Sequence, residues 1–276
     1  MIAKAMKITK ETNEIQRVVA LRNSRNKRHR TRQFIVEGTT SLDQAKKYNW
    51  SFESLFYNGD RKLSNWATDY LNCCECKNTY NVTSEIMGIL ADRDESPEIV
   101  GVAATRKRTI KDLKLERNQL FVVLDEPNSP GNMGTLIRSA KAFGVDGVIV
   151  SGHAADEYDP KCIRSSVGTF FSMSVWHVDG IGKFKEWIES WRASYQVQVL
   201  GTGNRGNVLL SDVSMNFDIG FLVLGNETTG ISEGFRNFAD QFVRLPLEGE
   251  FTSLNVGVAG SIFLYEFSKN MRCRNF

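Results

Sequence analysis

Three short stretches hold residues whose types and spacing could do chemistry. NSPGNMG, residues 128–134, opens a helical run in which Arg138 falls one position beyond the apolar pair Leu136–Ile137. A guanidinium at the edge of a buried face could grip a phosphate or a polarised hydroxyl through paired N–H donors. Read blandly, it is a surface arginine. In LVLGNETTGIS, residues 222–232, Gly225 and Gly230 bracket Asn226, Glu227, Thr228 and Thr229. That spacing predicts a tight turn after a strand, with backbone groups able to face a ligand. In TSLNVGVAG, residues 252–260, Thr252 or Ser253 suits a helix N-cap. Gly257 and Gly260 allow close approach of another backbone or a ligand. The run that follows is apolar on all sides, which calls for burial in a core or an interface.

Other patterns are weaker. GTGNRG, residues 201–206, matches G-x-G-x-x-G after an apolar run. A dinucleotide fingerprint also needs a helix next, and NVLLSDVSMNF is a poor helix, so a plain loop is expected. Cys73 and Cys76 have zinc-like spacing, but no second pair or nearby histidine completes four ligands. Free thiols and no metal are expected. Three histidines do not signal a histidine-based centre.

These stretches must be positioned by regular elements. LFVVLDE, the loop NSPGNMG, the helical run TLIRSAKAFG and DGVIVSG form a strand–loop–helix–strand unit, which implies a parallel sheet. Further strands are expected at VQVLGT and GFLVLGN, with a helix at GKFKEWIESWRAS. In open parallel sheets, ligands lie beyond the carboxyl ends of the strands, which is where all three stretches fall. Before residue 105, helical runs near 13–23 and 40–48, a helix at SEIMGILADR and strands at QFIVEG, SLFYNG and EIVGVAATRK predict a smaller α/β layer. The charged stretch 106–119 reads as a linker between domains 1–105 and 120–276.

With 276 residues the chain can build two cores. No apolar run approaches the roughly 18 residues that span a bilayer, and MIAKAMKITKETNEIQ lacks a signal-peptide core, so a cytoplasmic protein is expected. Charge is uneven: residues 1–119 hold 22 Lys and Arg against 15 Asp and Glu, and residues 120–276 hold 13 against 17. Arg22, Arg25, Lys27, Arg28, Arg30 and Arg32 crowd one segment. Such a cluster predicts contact with a polyanion such as a nucleic acid.

Together the stretches resemble the SpoU/TrmH family of RNA ribose 2′-O-methyltransferases, of the SPOUT class. The resemblance rests on Asn132, Gly134, Arg138, Ala140, Phe143 and Gly144, then on Leu224, Gly225, Glu227 and Gly230. Leu245, Pro246, Leu247, Ser253, Leu254, Asn255, Val256, Ala259, Tyr265 and Glu266 complete it. The resemblance implies an α/β fold with a C-terminal parallel-sheet SPOUT domain containing a trefoil knot, after a small α/β substrate-binding domain. It also implies S-adenosylmethionine as cofactor, ribosomal RNA as the favoured substrate, transfer RNA as the alternative, and a homodimer. A non-catalytic RNA-binding protein of the same fold is the competing expectation.

By motif, Arg138 is expected to activate or orient the 2′-hydroxyl, Asn132 to support the catalytic pocket and Glu227 to shape its loop. Ser253 and Asn255 would order the active site. Leu224, Gly225, Asn226, Gly230, Leu245, Leu247, Ser253 and Leu254 would hold the cofactor. The family usually has serine where this chain has Gly257, a departure that bears on the third motif's hydrogen bonds. A charged arginine is a poor base at neutral pH, so oxyanion stabilisation is expected of Arg138, with the proton acceptor unassigned.

Overall fold

The computed structural model describes residues 5–91, 96–248 and 253–272. It divides into two compact units, one of residues 1–106 and 156–172, the other of 107–155 and 173–276. The chain runs through β1 (Met6–Ile8), α1 (Asn13–Asn23), α2 (Arg25–Thr31), β2 (Gln33–Glu37), α3 (Thr39–Lys47) and β3 (Phe52–Asn58). It continues through α4 (Asn65–Cys73), β4 (Cys76–Val82), α5 (Ser84–Leu90) and β5 (Ile99–Ala104). Their five strands form a mixed sheet ordered β1-β4-β3-β5-β2, with β5 antiparallel to both neighbours.

The other unit holds β6 (Gln119–Asp125), α6 (Pro130–Ala142) and β7 (Gly147–Ser151); α7 (Pro160–Ser165) follows in the chain but belongs to the first unit. Then come β8 (Val175–Val178), α8 (Ile181–Arg192), β9 (Val197–Thr202), β10 (Val208–Leu209) and β11 (Ile219–Leu224). The chain ends through α9 (Glu233–Phe238), β12 (Gln241–Arg244) and α10 (Val256–Arg272). Seven strands pair in the order β10-β12-β9-β11-β6-β7-β8, every pair parallel. A parallel strand covered on both faces is apolar throughout, as β11, IGFLVL, shows with every residue buried. Phe121 and Phe221 stack at 5.4 Å in that core, and Phe184 meets Phe221 edge-on at 5.6 Å. Succession moves from β6 through β7 to β8, then resumes on the other side of β6, so β6 and β11 flank the switch point where such sheets bind ligands.

Two segments depart from the sequence-based expectation. Within 106–119, expected as a charged linker, Ile110, Leu113 and Leu115 are buried in the core of the larger unit. Three apolar anchors spaced through a polar run suffice to dock it. Conversely, residues 156–172 leave the larger unit and pack into the smaller one. There Tyr158, Phe170 and Phe171 close around Phe34 and Trp50, and the indole N–H of Trp50 donates to the Phe171 carbonyl at 3.0 Å.

The same segment corrects the reading of the basic cluster. Arg28 is only 2% exposed. Its guanidinium donates to Asp156 at 2.6 Å, to Asp159 at 3.2 Å and to the Leu21 and Arg22 carbonyls. Arg22 donates to the carbonyls of Ile89 and Ala91 at 3.0 and 2.7 Å, capping the end of α5. Neither side chain is available for a polyanion. Arg25, Arg30 and Arg32 are exposed and Lys27 is half-buried. Asp156→Ala leaves the Arg28 guanidinium buried without its main partner, so a loss of about 3–5 kcal/mol is expected in urea unfolding. A change below about 1 kcal/mol would show that the pair is not structural.

Candidate active site

Local sequence sets the first wall. Ser129 caps α6 by accepting the Asn132 N–H at 3.3 Å, and Pro130 occupies the first turn. Beside this helix start, the turn after β11 folds back on itself: Asn226 and Gly230 exchange backbone hydrogen bonds at 3.0 and 2.9 Å. The Asn226 carboxamide accepts from the Thr228 and Thr229 N–H groups and donates to the Glu126 carbonyl. A Cβ on Gly225 would lie 2.2 Å from the Gly230 carbonyl carbon, so only glycine lets the turn close. Asp125, buried at the end of β6, accepts the Ser232 N–H at 2.7 Å and pins the turn's far side. Burial pushes its carboxyl above the ordinary aspartate value, against the opposing hydrogen bond.

Asn132 connects everything. Its amide donates to Glu227 Oε1 at 3.0 Å, and its Oδ1 accepts from the Asn255 carboxamide at 3.1 Å. Glu227 also accepts the Asn128 and Ser129 N–H groups at 3.1 and 3.2 Å. A carboxylate receiving the free N–H groups before a helix is electrostatically well placed. Asn255 Oδ1 in turn accepts from the Gly257 and Val258 N–H groups at 2.9 and 3.3 Å, so Asn255 is the side-chain cap of α10. The cap was expected at Thr252 or Ser253; Thr252 lies outside the described residues, and Ser253 precedes the helix by two positions too many.

Helix α10 serves two faces. Val256, Ala259 and Phe263 line the cavity. Gly260 lets α10 settle on α6, where an added Cβ would lie 2.4 Å from Leu136 and 2.8 Å from Leu224. Ser139 and Ser261 hydrogen-bond across the same contact at 2.7 Å. At the Gly257 departure, a Cβ would sit 3.1 Å from Asn255 Oδ1 and 3.3 Å from Thr135, so glycine leaves the cap uncrowded. Leu254, Val258, Ile262 and Tyr265 remain between 42% and 54% exposed, so the helix is not buried all round.

The cavity enclosed by these elements measures about 780 Å³. Its wall includes Asn132, Gly225, Asn226, Glu227, Gly230, Leu245, Leu247, Ser253, Leu254 and Asn255, all expected at the site. Leu224 is buried beneath it rather than on its wall. Arg138 is absent from the wall; it is the ninth residue of α6, not near its start, and its side chain is exposed. Six residues beyond Asn132, it points about 120° away around the helix. Thr202, Asn204, Arg205, Arg236 and Phe242 line the cavity without having been expected there. GTGNRG signalled the first three but was read against a dinucleotide template, and β12 was too short and mixed to read.

The volume suits a nucleoside-sized ligand. An apolar floor of Ile231, Ala259 and Phe263, under a rim of carboxamides and backbone turns, fits a molecule with a flat base and a polar tail. A fully parallel sheet whose cavity lies past its carboxyl edge, with three separated motifs locked around it and a SpoU methylase family match over the same residues, places the protein in the SPOUT class of methyltransferases.

Within that class the chain belongs to the SpoU rRNA methylase family, whose profile matches residues 119–265, while the SpoU L30e-like domain matches residues 13–101. The chain is 36% identical over 263 residues to the 23S rRNA (uridine(2479)-2′-O)-methyltransferase of Streptomyces viridochromogenes, covering 95% of this chain and 91% of the relative. It is 23% identical over 243 residues to the 23S rRNA (guanosine(2553)-2′-O)-methyltransferase RlmP of Bacillus subtilis, covering 88% and 91%. The structure of the SpoU methyltransferase AviRb from Streptomyces viridochromogenes, in complex with AdoMet, superposes with a TM-score of 0.88 at 34% identity over 94% of this chain and 98% of AviRb.

Because Asn132 bonds both Glu227 and Asn255, substitutions of those two residues are expected to couple through it. In urea unfolding, Glu227→Gln and Asn255→Ala should be non-additive by about 0.5–1 kcal/mol. The coupling should vanish in an Asn132→Ala background; persistence there would disprove the relay.

Proposed function

We propose that this protein transfers a methyl group from S-adenosylmethionine to a ribose 2′-hydroxyl in ribosomal RNA. The observation that carries the proposal is the Glu227–Asn132–Asn255 relay, which joins all three motifs at the rim of one nucleoside-sized cavity. Family membership and the AdoMet-bound relative support the cofactor; the rRNA 2′-O-methyltransferases among the relatives support the substrate.

When bound, S-adenosylmethionine supplies an electrophilic methyl group on a sulfonium. Gly225, Leu245, Leu247 and Leu254, with Asn226 and Gly230, line the cavity and would hold the adenosine by shape and backbone contact. Asn132, Glu227, Ser253 and Asn255 keep the rim in one arrangement, so that positioning supplies much of the acceleration. Arg138, exposed on α6, would act on RNA lying along that helix, where its fixed charge grips the phosphate adjoining the target ribose. In the smaller unit, Arg25, Lys27, Arg30 and Arg32 contribute charge to RNA binding. The knot expected of this family would bring Leu245, Leu247, Ser253 and Leu254 to the cofactor. Free thiols at Cys73, Cys74, Cys76 and Cys162 suit a reducing cytoplasm.

The exposed stripe of α10 is covered in a homodimer. Val258, Ile262 and Tyr265 fall at i, i+4 and i+7, one helix face, and Tyr265 meets Phe143 edge-on at 5.8 Å. Ile262→Asp is expected to halve the mass measured by light scattering; an unchanged mass would place the dimer contact elsewhere.

Incubation with labelled S-adenosylmethionine and unmodified ribosomal RNA should give an alkali-resistant labelled dinucleotide, absent with Arg138→Ala. That variant should keep its cofactor affinity within about threefold, since Arg138 lies off the cavity wall. Label only in transfer RNA would change the substrate class. Cofactor binding without label in either RNA would favour a non-catalytic RNA-binding protein.

A further inference from the structure

The GTGNRG loop has a role that its glycine pattern does not describe. No helix follows it; β10 and a single 3-10 turn do. Its glycines serve packing instead: a Cβ on Gly201 or Gly203 would lie 2.8 Å from the Phe242 ring, and one on Gly206 would lie 2.5 Å from the Val243 backbone. The loop is fastened at both ends. Thr202 Oγ1 donates to the Val223 carbonyl at 2.9 Å, and the Gly203 N–H donates to the Val243 carbonyl at 3.0 Å. The Gly206 N–H then donates to the Gly203 carbonyl at 3.1 Å, placing Asn204 and Arg205 at the tip of a tight turn on the cavity wall. Arg236, on α9, lines the same cavity, its guanidinium 5.5 Å from the centre of the Phe242 ring.

The cavity is therefore polarised across the sheet edge. Arg205 follows β9 and Arg236 packs on β12, whereas Asn132 follows β6 and Glu227 follows β11, two strands on the other side of β9. Among the lining residues, Glu227 is the carboxylate, and three hydrogen-bond donors occupy it. Among the described residues, neither Arg205 nor Arg236 has an ion-pair partner, and Arg236 meets the Phe242 ring instead. A sulfonium is repelled by guanidinium groups and favoured beside the carboxylate and carboxamides, so an anionic group of the same ligand is drawn to the β9–β12 side.

We infer that Arg205 and Arg236 form an anion clamp for the α-carboxylate of the cofactor's methionine moiety, an inference that rests on the S-adenosylmethionine-dependent activity proposed above. The clamp orients the methionine tail and so fixes where the sulfonium stands relative to Asn132 and Glu227. Phe242 sets its geometry, bearing on the glycines of the loop with one part of its ring while Arg236 stacks above it.

The test compares dissociation constants of the full-length protein for S-adenosylmethionine and for its decarboxylated analogue, measured by calorimetry without RNA. Wild type is expected to prefer the carboxylate-bearing cofactor by at least tenfold, and Arg205→Gln and Arg236→Gln each to lose about tenfold for it while binding the analogue unchanged. Both side chains are exposed, so the variants should unfold at the wild-type temperature. If wild type binds the cofactor and the variants retain its full affinity and preference, the clamp is overturned and the proposed activity stands. The clamp is likewise overturned if, in the labelled-methyl assay with ribosomal RNA, the variants raise only the KM for RNA, which would assign the pair to a phosphate. Failure of wild type to bind S-adenosylmethionine would overturn the activity and the clamp together.

Discussion

The geometry of the site depends on one carboxamide. Asn132 has a donor and an acceptor side, and each is committed to a different motif, Glu227 on one side and Asn255 on the other. Asn132 lies in the first turn of α6, Glu227 in the loop after β11 and Asn255 at the N-cap of α10, the last two separated from Asn132 by 95 and 123 positions in sequence. Nothing local holds such loops in register. A side-chain chain that is satisfied along its length does so, because breaking one link leaves a polar group short of its partner at the edge of a low-dielectric cavity. The same links end on backbone N–H groups at the starts of α6 and α10, so site order and helix capping are one set of bonds.

Around that relay, the packing of α10 on α6 gives the cavity its floor and the molecule an exposed apolar stripe. A single helix has three obligations: Val256, Ala259 and Phe263 toward the cavity, Gly260 and Ser261 toward α6, and Val258, Ile262 and Tyr265 outward. Small residues on the α6 face account for the close approach; with any larger side chain at 260, Leu136 and Leu224 would have to move and the floor with them.

In the smaller unit, charge is divided between structure and surface. The cluster Arg22–Arg32 reads as one basic patch, yet two of its six cations are consumed inside the fold, Arg28 by carboxylates of residues 156–172 and Arg22 by carbonyls closing α5. A buried guanidinium with two carboxylate neighbours is a poor source of net stability but costly to break, which makes it a device for specifying how segment 156–172 docks. The aromatic cluster of Phe34, Trp50, Tyr158, Phe170 and Phe171 supplies the apolar area for the same docking.

The sequence by itself determined the parallel sheet and the residues around the site. Short unbroken apolar runs such as LFVVL and FLVL, bounded by turn residues, read as strands covered on both faces, and Gly225 and Gly230 stand at a turn where local chemistry selects them. Only the tertiary structure decided which of these meet. It placed Arg138 off the cavity wall, because its direction depends on where α6 begins, and α6 begins eight residues before it. It moved the N-cap of α10 to Asn255, brought GTGNRG onto the wall through Phe242, buried Arg28, and docked 107–119 and 156–172 against the charge of one and the chain position of the other. The physical reason is common to all five: a charge, a cap or a glycine shows its chemistry in the sequence, while its partner, tens of residues away, is chosen by packing.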